Sequence, residues 1–295
     1  MVLNTNMKKY KTICISDVHL GTRGCKAELL CDFLKNNTSE NLFLVGDIID
    51  GWRLERSFYW PQSHTNVIRR ILTAAKRDTN VMYIVGNHDE ALRKFLKFDI
   101  TIGNISIENQ HMYTGIDGKR YLIVHGDMFD TAIRNKLKWI YHLGDFLYDV
   151  LLRLNVVVNF FRKIFGLKYW SLSKYLKGVT KEAVAYMSDF EELITDYCKK
   201  RDAQGIICGH IHTPEIKTMA NGMLYFNDGD FVESCSALVE TYDGDWVLIH
   251  LEENEWRPFQ ILDHQTGQIL TGKPCIPWYE QRGFSVLQYQ SRDSK

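Results

Sequence analysis

The chain has 295 residues, enough for one large domain or for a domain carrying an inserted cap. Hydrophobic residues make up 45% and charged residues 24%, and 36 Lys+Arg balance 36 Asp+Glu, which argues against a general nucleic-acid binder. No apolar run reaches the roughly 18 residues that a membrane-spanning helix needs.

In chain order, short apolar runs end in polar clusters. "TICIS" (12–16) leads into Asp17-Val18-His19, "LFLV" (42–45) into Gly46-Asp47, and "VMYIV" (81–85) into Gly86-Asn87-His88-Asp89. "YLIV" (121–124) leads into His125-Gly126-Asp127, and "GIIC" (205–208) into Gly209-His210-Ile211-His212. Runs of this length, rich in β-branched residues and bounded by glycine, predict buried strands. Between them, helices are expected at 25–35 and at 61–77. The second has Pro61 at its first position and Val67, Ile68, Ile71, Leu72 and Ala75 on one face. The alternation implies a largely parallel α/β sheet. Asp117-Gly118, Asn221-Gly222 and Asp243-Gly244 mark later hairpins, so antiparallel strands are expected to follow.

Residues 129–180 interrupt this rhythm. Leu143, Leu147, Val150, Leu151, Leu154, Val158, Phe161 and Phe165 follow helical spacing, and residues 130–178 hold nine Lys/Arg against three Asp. A basic, aromatic-rich helical insertion is expected there, with a body over 1–265 and a tail over 266–295. Seven cysteines without a C-x-x-C pair predict reduced thiols, and "MVLNTNMKKYK" has no apolar leader segment, so a cytoplasmic location is expected.

Five motifs at strand ends collect Asp17, His19, Asp47, Asn87, His88, His125, His210 and His212. In sheets of this kind, ligands bind beyond the strand ends, and carboxylate, imidazole and amide oxygen suit hard or borderline divalent ions. In an extended segment residues i and i+2 point the same way, so D-x-H and H-x-H can each grip from one direction. Asp50 and Asp127 are candidate partners of these groups, and Asp50 is equally suited to closing a turn. Trp52, Arg53 and Arg56 follow Asp47 and are candidate cleft residues. His64, His111, His142, His250 and His264 fall outside the motifs and are read as structural.

The ordered series D-x-H, G-D, G-N-H-D, H-G-D, G-H-x-H resembles the calcineurin-like metallophosphoesterases across residues 17–212. That resemblance implies a four-layer α/β/β/α sandwich with two metals at the strand ends. It implies that Asp17, His19, Asp47 and His212 hold one ion, and that Asn87, His125 and His210 complete a second, with Asp47 bridging. His88 would face the substrate, oriented by Asp89. Two-metal chemistry of this type activates water and neutralises phosphoryl charge.

"ISDVHLG", "FLVGDIIDGWRL", "VHGD", "YWSLSKYLK" and "GHIHTPE" are similar to the bacterial UDP-2,3-diacylglucosamine pyrophosphatases of lipid A synthesis. That branch implies manganese, a lipid-linked pyrophosphate substrate and the products UMP and acylated sugar phosphate. The O/N ligand set also accommodates Fe, Zn or Mg. The insertion, with Arg162 and Lys163, could then cover the substrate or rest on an anionic membrane face; a packed hairpin or a dimer face is the alternative. The better-known members of the branch carry Arg where this chain has His88, which leaves open a paralogue acting on another lipid-linked or soluble phosphoester. A non-catalytic scaffold of the same fold would lack ligands, and none is missing.

Overall fold

The computed structural model describes residues 8–98, 101–102, 104–129, 190–252 and 255–271. In chain order these form β1 (Lys8–Ile15), α1 (Ala27–Asn36), β2 (Asn37–Val45), α2 (Gly51–Arg56), α3 (Gln62–Lys76) and β3 (Asn80–Ile84). A 3-10 helix (Glu90–Phe98) follows, then β4 (Thr101–Ile102), β5 (Ile105–Glu108), β6 (Gln110–Thr114) and β7 (Arg120–Val124). The remaining strands are β8 (Gly205–Cys208), β9 (Glu215–Thr218), β10 (Leu224–Asn227), β11 (Ser236–Glu240), β12 (Trp246–Glu252), β13 (Glu255–Leu262) and β14 (Ile269–Thr271).

Two sheets result. The larger runs β14-β13-β12-β11-β1-β2-β3-β5-β4, and the smaller runs β6-β7-β8-β10-β9. β1, β2, β3 and β5 are parallel, as are β7, β8 and β10, while β11 to β14 are antiparallel. The five apolar runs read from the sequence fall on strands, with Ser16 and Val85 one residue past the ends of β1 and β3. The three predicted turns join antiparallel neighbours, with Gly118, Gly222 and Gly244 at positive φ.

Strand alternation decides which residues fill which core. Ile13, Ile15, Leu42, Leu44, Val81 and Tyr83 face one way and pack with Leu30 and Phe33 of α1 and with Val67, Ile71 and Ala75 of α3. Cys14, Phe43, Val45 and Ile84 face the other way and meet Tyr121, Ile123, Ile207 and Phe226 of the smaller sheet. Helices, sheet and sheet are therefore stacked as layers, and both faces of β1 to β3 are buried, which is why these strands read as unbroken apolar runs.

The α3 stripe differs from expectation in one respect. Leu72 is 48% exposed, and His64 takes a buried place instead. Positions 64, 67, 71 and 75 follow one face, while 72 lies about 100° round from 71. Pro61 is the residue before the helix rather than its first residue. β14 lies beyond residue 265, where three residues are too short to show a period.

The chain divides into two compact units, residues 1–127 with 198–295, and residues 128–197. Both sheets belong to the first. In the second, Phe129 packs edge-on against Phe190 and Tyr197. Residues 130–189, which hold most of the expected insertion together with Arg162 and Lys163, lie outside the described residues. Among the described residues, no helix is long and apolar enough to cross a membrane.

Phe43 is fully buried between the sheets. Phe43→Ala is expected to cost about 3–5 kcal/mol, read as a lowered denaturant midpoint with an unchanged slope.

Candidate metal centre

The parallel strands of both sheets deliver their C-terminal loops to one place. The Asp17 amide donates to Gly46 O (3.0 Å), His19 to Asp47 O (2.9 Å), Gly51 to His88 O (2.9 Å) and Gly209 to His125 O (3.1 Å). These cross-links fix each loop against its neighbour.

The backbone there is not extended. Asp17, His19, Asp47, His210 and His212 all have φ between +49° and +68°. The same-side argument from an extended D-x-H segment is therefore corrected: left-handed turns bring these side chains together. Each such non-glycine residue costs on the order of 1–3 kcal/mol and persists only where the surroundings over-determine it. Glycine supplies the remaining room. Gly46 has φ +84° and a Cβ there would strike the His125 ring, while a Cβ on Gly86 would strike Asp47.

Both central carboxylates divide their oxygens between fold and site. Asp17 Oδ2 accepts from the His210 amide (2.8 Å) and lies 2.5 Å from Ser16 Oγ. Its Oδ1 is buried and takes no hydrogen bond, yet lies 3.1 Å from His212 Nε2 and 3.8 Å from His19 Nε2. Asp47 Oδ1 accepts from the His88 amide (2.8 Å), and its Oδ2 lies 3.3 Å from His125 Nε2 and 3.9 Å from His88 Nε2.

Three groups of side chains bring their ligand atoms within 4.8 Å of one another: Asp17, His19 and His212; His19, Asp47 and His88; Asp47, His125 and His210. Asn87 Oδ1 joins the last, 3.2 Å from His125 Nε2. Asp47 and His19 are each shared between two groups. His210 and His212 serve different groups rather than gripping together. An unpartnered buried carboxylate oxygen facing imidazole nitrogens fits a divalent cation, and so does this donor set.

The electrostatics agree. Burial lowers the His125 imidazole, but the Asp47 and Asp17 carboxylates outweigh it and push it up to about 10. Burial likewise opposes His212, which Asp17 raises to about 9. Burial raises the Asp17 carboxyl, and the imidazoles of His212, His125 and His19 more than reverse that and hold it below its ordinary value.

His88 is positioned by Asp50, not by Asp89. Its Nδ1 lies 3.0 Å from Asp50 Oδ1, and Asp50 Oδ2 lies 3.5 Å from His19 Nδ1. The Asp50 carboxylate also caps α2 by accepting from the Arg53 amide (2.8 Å), so it both closes a turn and faces the site. Asp89 instead accepts from Tyr83 Oη (2.5 Å), the Gly86 amide (2.6 Å) and the Ile48 amide (3.1 Å). Its catalytic assignment is corrected: bonded this way, it fixes the strand end and the loop after β2.

Trp52 packs against His88, with ring centroids 4.4 Å apart, and donates from Nε1 to Glu90. Arg53 and Arg56 are exposed on the same short helix. Asp127 pairs with Arg93 (2.8 Å), which also donates to Val85 O. Ser16, Asp228 and Asp230 escaped the sequence reading. Asp230 Oδ2 lies 3.9 Å from His212 Nδ1. The one available signal was the polar run Asn227-Asp228-Gly229-Asp230 at the end of a further strand.

A family model described as calcineurin-like phosphoesterase matches residues 10–214. The chain belongs to that family. It is a metal-dependent phosphoesterase with the mixed α/β, two-sheet fold of the metallophosphoesterases. Among curated relatives, the UDP-2,3-diacylglucosamine hydrolase of Psychromonas ingrahamii is 26% identical over 68% of this chain and 80% of its own length. That of Aliivibrio fischeri is 23% identical over 79% of this chain and 89% of its own length. Among solved structures, zinc-bound Vps29 from Entamoeba histolytica aligns over 86% of this phosphoesterase and 98% of its own chain, with 11% identity and a TM-score of 0.44. A dimetal phosphatase from Danio rerio aligns over 84% and 98%, with 12% identity and a TM-score of 0.41.

A metal ligand must be an unprotonated imidazole. With His125 and His212 raised, the metal-free protein holds protons there at neutral pH. Cation uptake should therefore release protons and tighten as pH rises toward 9. Calorimetric titration of manganese in buffers of different ionisation enthalpy should give apparent enthalpies that scale with the buffer.

Proposed function

We propose that this phosphoesterase is a dinuclear hydrolase that cleaves the pyrophosphate of a UDP-diacylglucosamine-type lipid, releasing UMP and the acylated sugar phosphate. The observation that carries the dinuclear reading is Asp47, whose carboxylate is shared by two ligand groups and whose Oδ2 faces His125 and His88. In this reading Asp17, His19, Asp47 and His212 hold one cation, and Asp47, Asn87, His125 and His210 hold the other. Manganese is the preferred metal, and Fe, Zn or Mg suit the same donors. When bound, such a pair supplies an activated water and neutralises phosphoryl charge.

The chain's own groups do the rest. Burial lowers the His88 imidazole, but Asp50 and Asp47 more than offset it and raise it above its ordinary value, which favours its protonated form. Its Nε2 faces Asp47 and would pass a proton to the leaving oxygen, while its Nδ1 lies 3.0 Å from Asp50 Oδ1. Trp52 packs against His88, and the exposed Arg53 and Arg56 share its short helix, so these residues would offer an aromatic face and cations to the substrate. Arg162 and Lys163 belong to the basic insertion, whose composition suits phosphate, acyl chains and the anionic inner face of the cytoplasmic membrane. The names of the two curated relatives support the substrate.

A second reading has its own observation. A sugar-phosphate leaving group is a weak base and needs little acid help, whereas an alkoxide needs it. The His88–Asp50 pair therefore favours a paralogue that acts on another lipid-linked or soluble phosphoester.

The deciding experiment is hydrolysis of UDP-2,3-diacylglucosamine in detergent with manganese, followed by mass spectrometry. UMP release, lost in Asp47→Ala, supports the first reading. Generic phosphodiester cleavage without UMP release replaces it with the second. His88→Asn should lower kcat by about 10²- to 10⁴-fold if the leaving oxygen needs the proton.

A further inference from the structure

Ser16 has one hydroxyl hydrogen and three close acceptor oxygens. Its Oγ lies 2.5 Å from Asp17 Oδ2, 2.6 Å from Asp228 Oδ1 and 3.0 Å from Gly229 O. Ser16 is 1% exposed, and Asp17 and Asp228 are fully buried. Two carboxylates cannot both hold such short contacts to one hydroxyl with a single hydrogen among them. One contact must carry a second proton. Asp17 is not its holder, because its other carboxylate contacts are the His210 amide and nearby imidazoles. Among the described residues the Asp228 carboxylate meets the Ser16 hydroxyl and its own backbone amide, and its Oδ2 is buried without a hydrogen-bond partner. An unpaired oxygen in a dry interior is far cheaper on a neutral acid than on an anion.

We propose that Ser16 and Asp228 are positioning residues for Asp17. Asp228 is a neutral carboxylic acid that donates to Ser16 Oγ, and Ser16 donates to Asp17 Oδ2, leaving Asp17 Oδ1 free for an ion. This extends the reading of Asp17 as a metal ligand. Burial pushes the Asp228 carboxyl well up. The titratable groups facing it are Asp17 and His125, and the thiols of Cys14 and Cys208 from β1 and β8. Asp17 adds to the upward push and His125 opposes it. The chain thus aims one oxygen of a charged ligand without placing a second negative charge behind it.

Two readouts test this without phosphoester turnover. The first uses the metal-free full chain. Infrared difference spectra of wild type against Asp228→Asn should show the carbonyl stretch of a protonated carboxyl lost in the variant at neutral pH. Carbon-13 NMR of wild type should keep the Asp228 carboxyl at its acid shift from mildly acidic to mildly alkaline pH, which decides the point even where the variant does not fold. The second is manganese affinity by competition titration. Ser16→Ala and Asp228→Ala should weaken it by about 10- to 100-fold, and Asp228→Asn, which keeps a neutral donor, should restore most of the loss. An Asp228 carboxylate signal at neutral pH, wild-type affinity in Ser16→Ala, or Asp228→Asn as weak as Asp228→Ala would each overturn the proposal. Loss of the lipid activity alone would touch only the substrate reading.

Discussion

The site depends on a buried carboxylate, Asp47, that is used twice. One oxygen is held by the amide of His88, and the other is turned toward His125 and the neighbouring ligand groups. The first contact ties the loop after β2 to the loop after β3. The second creates the charge density that a cation answers. An unpaired buried carboxylate is costly in a dry interior, so a fold that keeps Asp17 and Asp47 side by side needs positive partners close by. The clustered histidines supply them when protonated, and a divalent ion supplies them better.

This arrangement is maintained by packing rather than by local preference. Five of the proposed ligands sit in left-handed backbone that none would choose alone. The cores on both faces of β1 to β3 hold the strand ends in place, and the inter-loop amide contacts fix the turns. Stability made in the apolar layers is thereby spent on a strained polar rim, which is the usual relation between scaffold and site.

Much of this was legible in the sequence because the chemistry lies where apolar runs stop. Asp17, Asp47, His125 and the Gly-His-Ile-His stretch directly follow residues whose burial is unmistakable, and the three hairpin turns declare themselves by Asp-Gly or Asn-Gly. Other features were not legible, for physical reasons. β4, β5 and β14 have between two and four residues and cannot show a period. Asp89 follows His88 directly in sequence, but the tight turn after β3 points its carboxylate back at Gly86 and Tyr83. Asp50 is a candidate partner in the sequence, but its pairing with His88, 38 positions later, comes only from the fold, because α2 begins beside that ring. Ser16, Asp228 and Asp230 matter only through tertiary approach, which no spacing announces.

The central claim is that Asp47 joins two cations in one centre. Electron paramagnetic resonance of the full chain loaded with manganese to saturation addresses it directly. A bridged pair gives an exchange-coupled spectrum, with two ions bound per chain, and Asp47→Ala loses the coupling. A spectrum of isolated manganese, whether from one ion or from two that do not interact, would contradict the account.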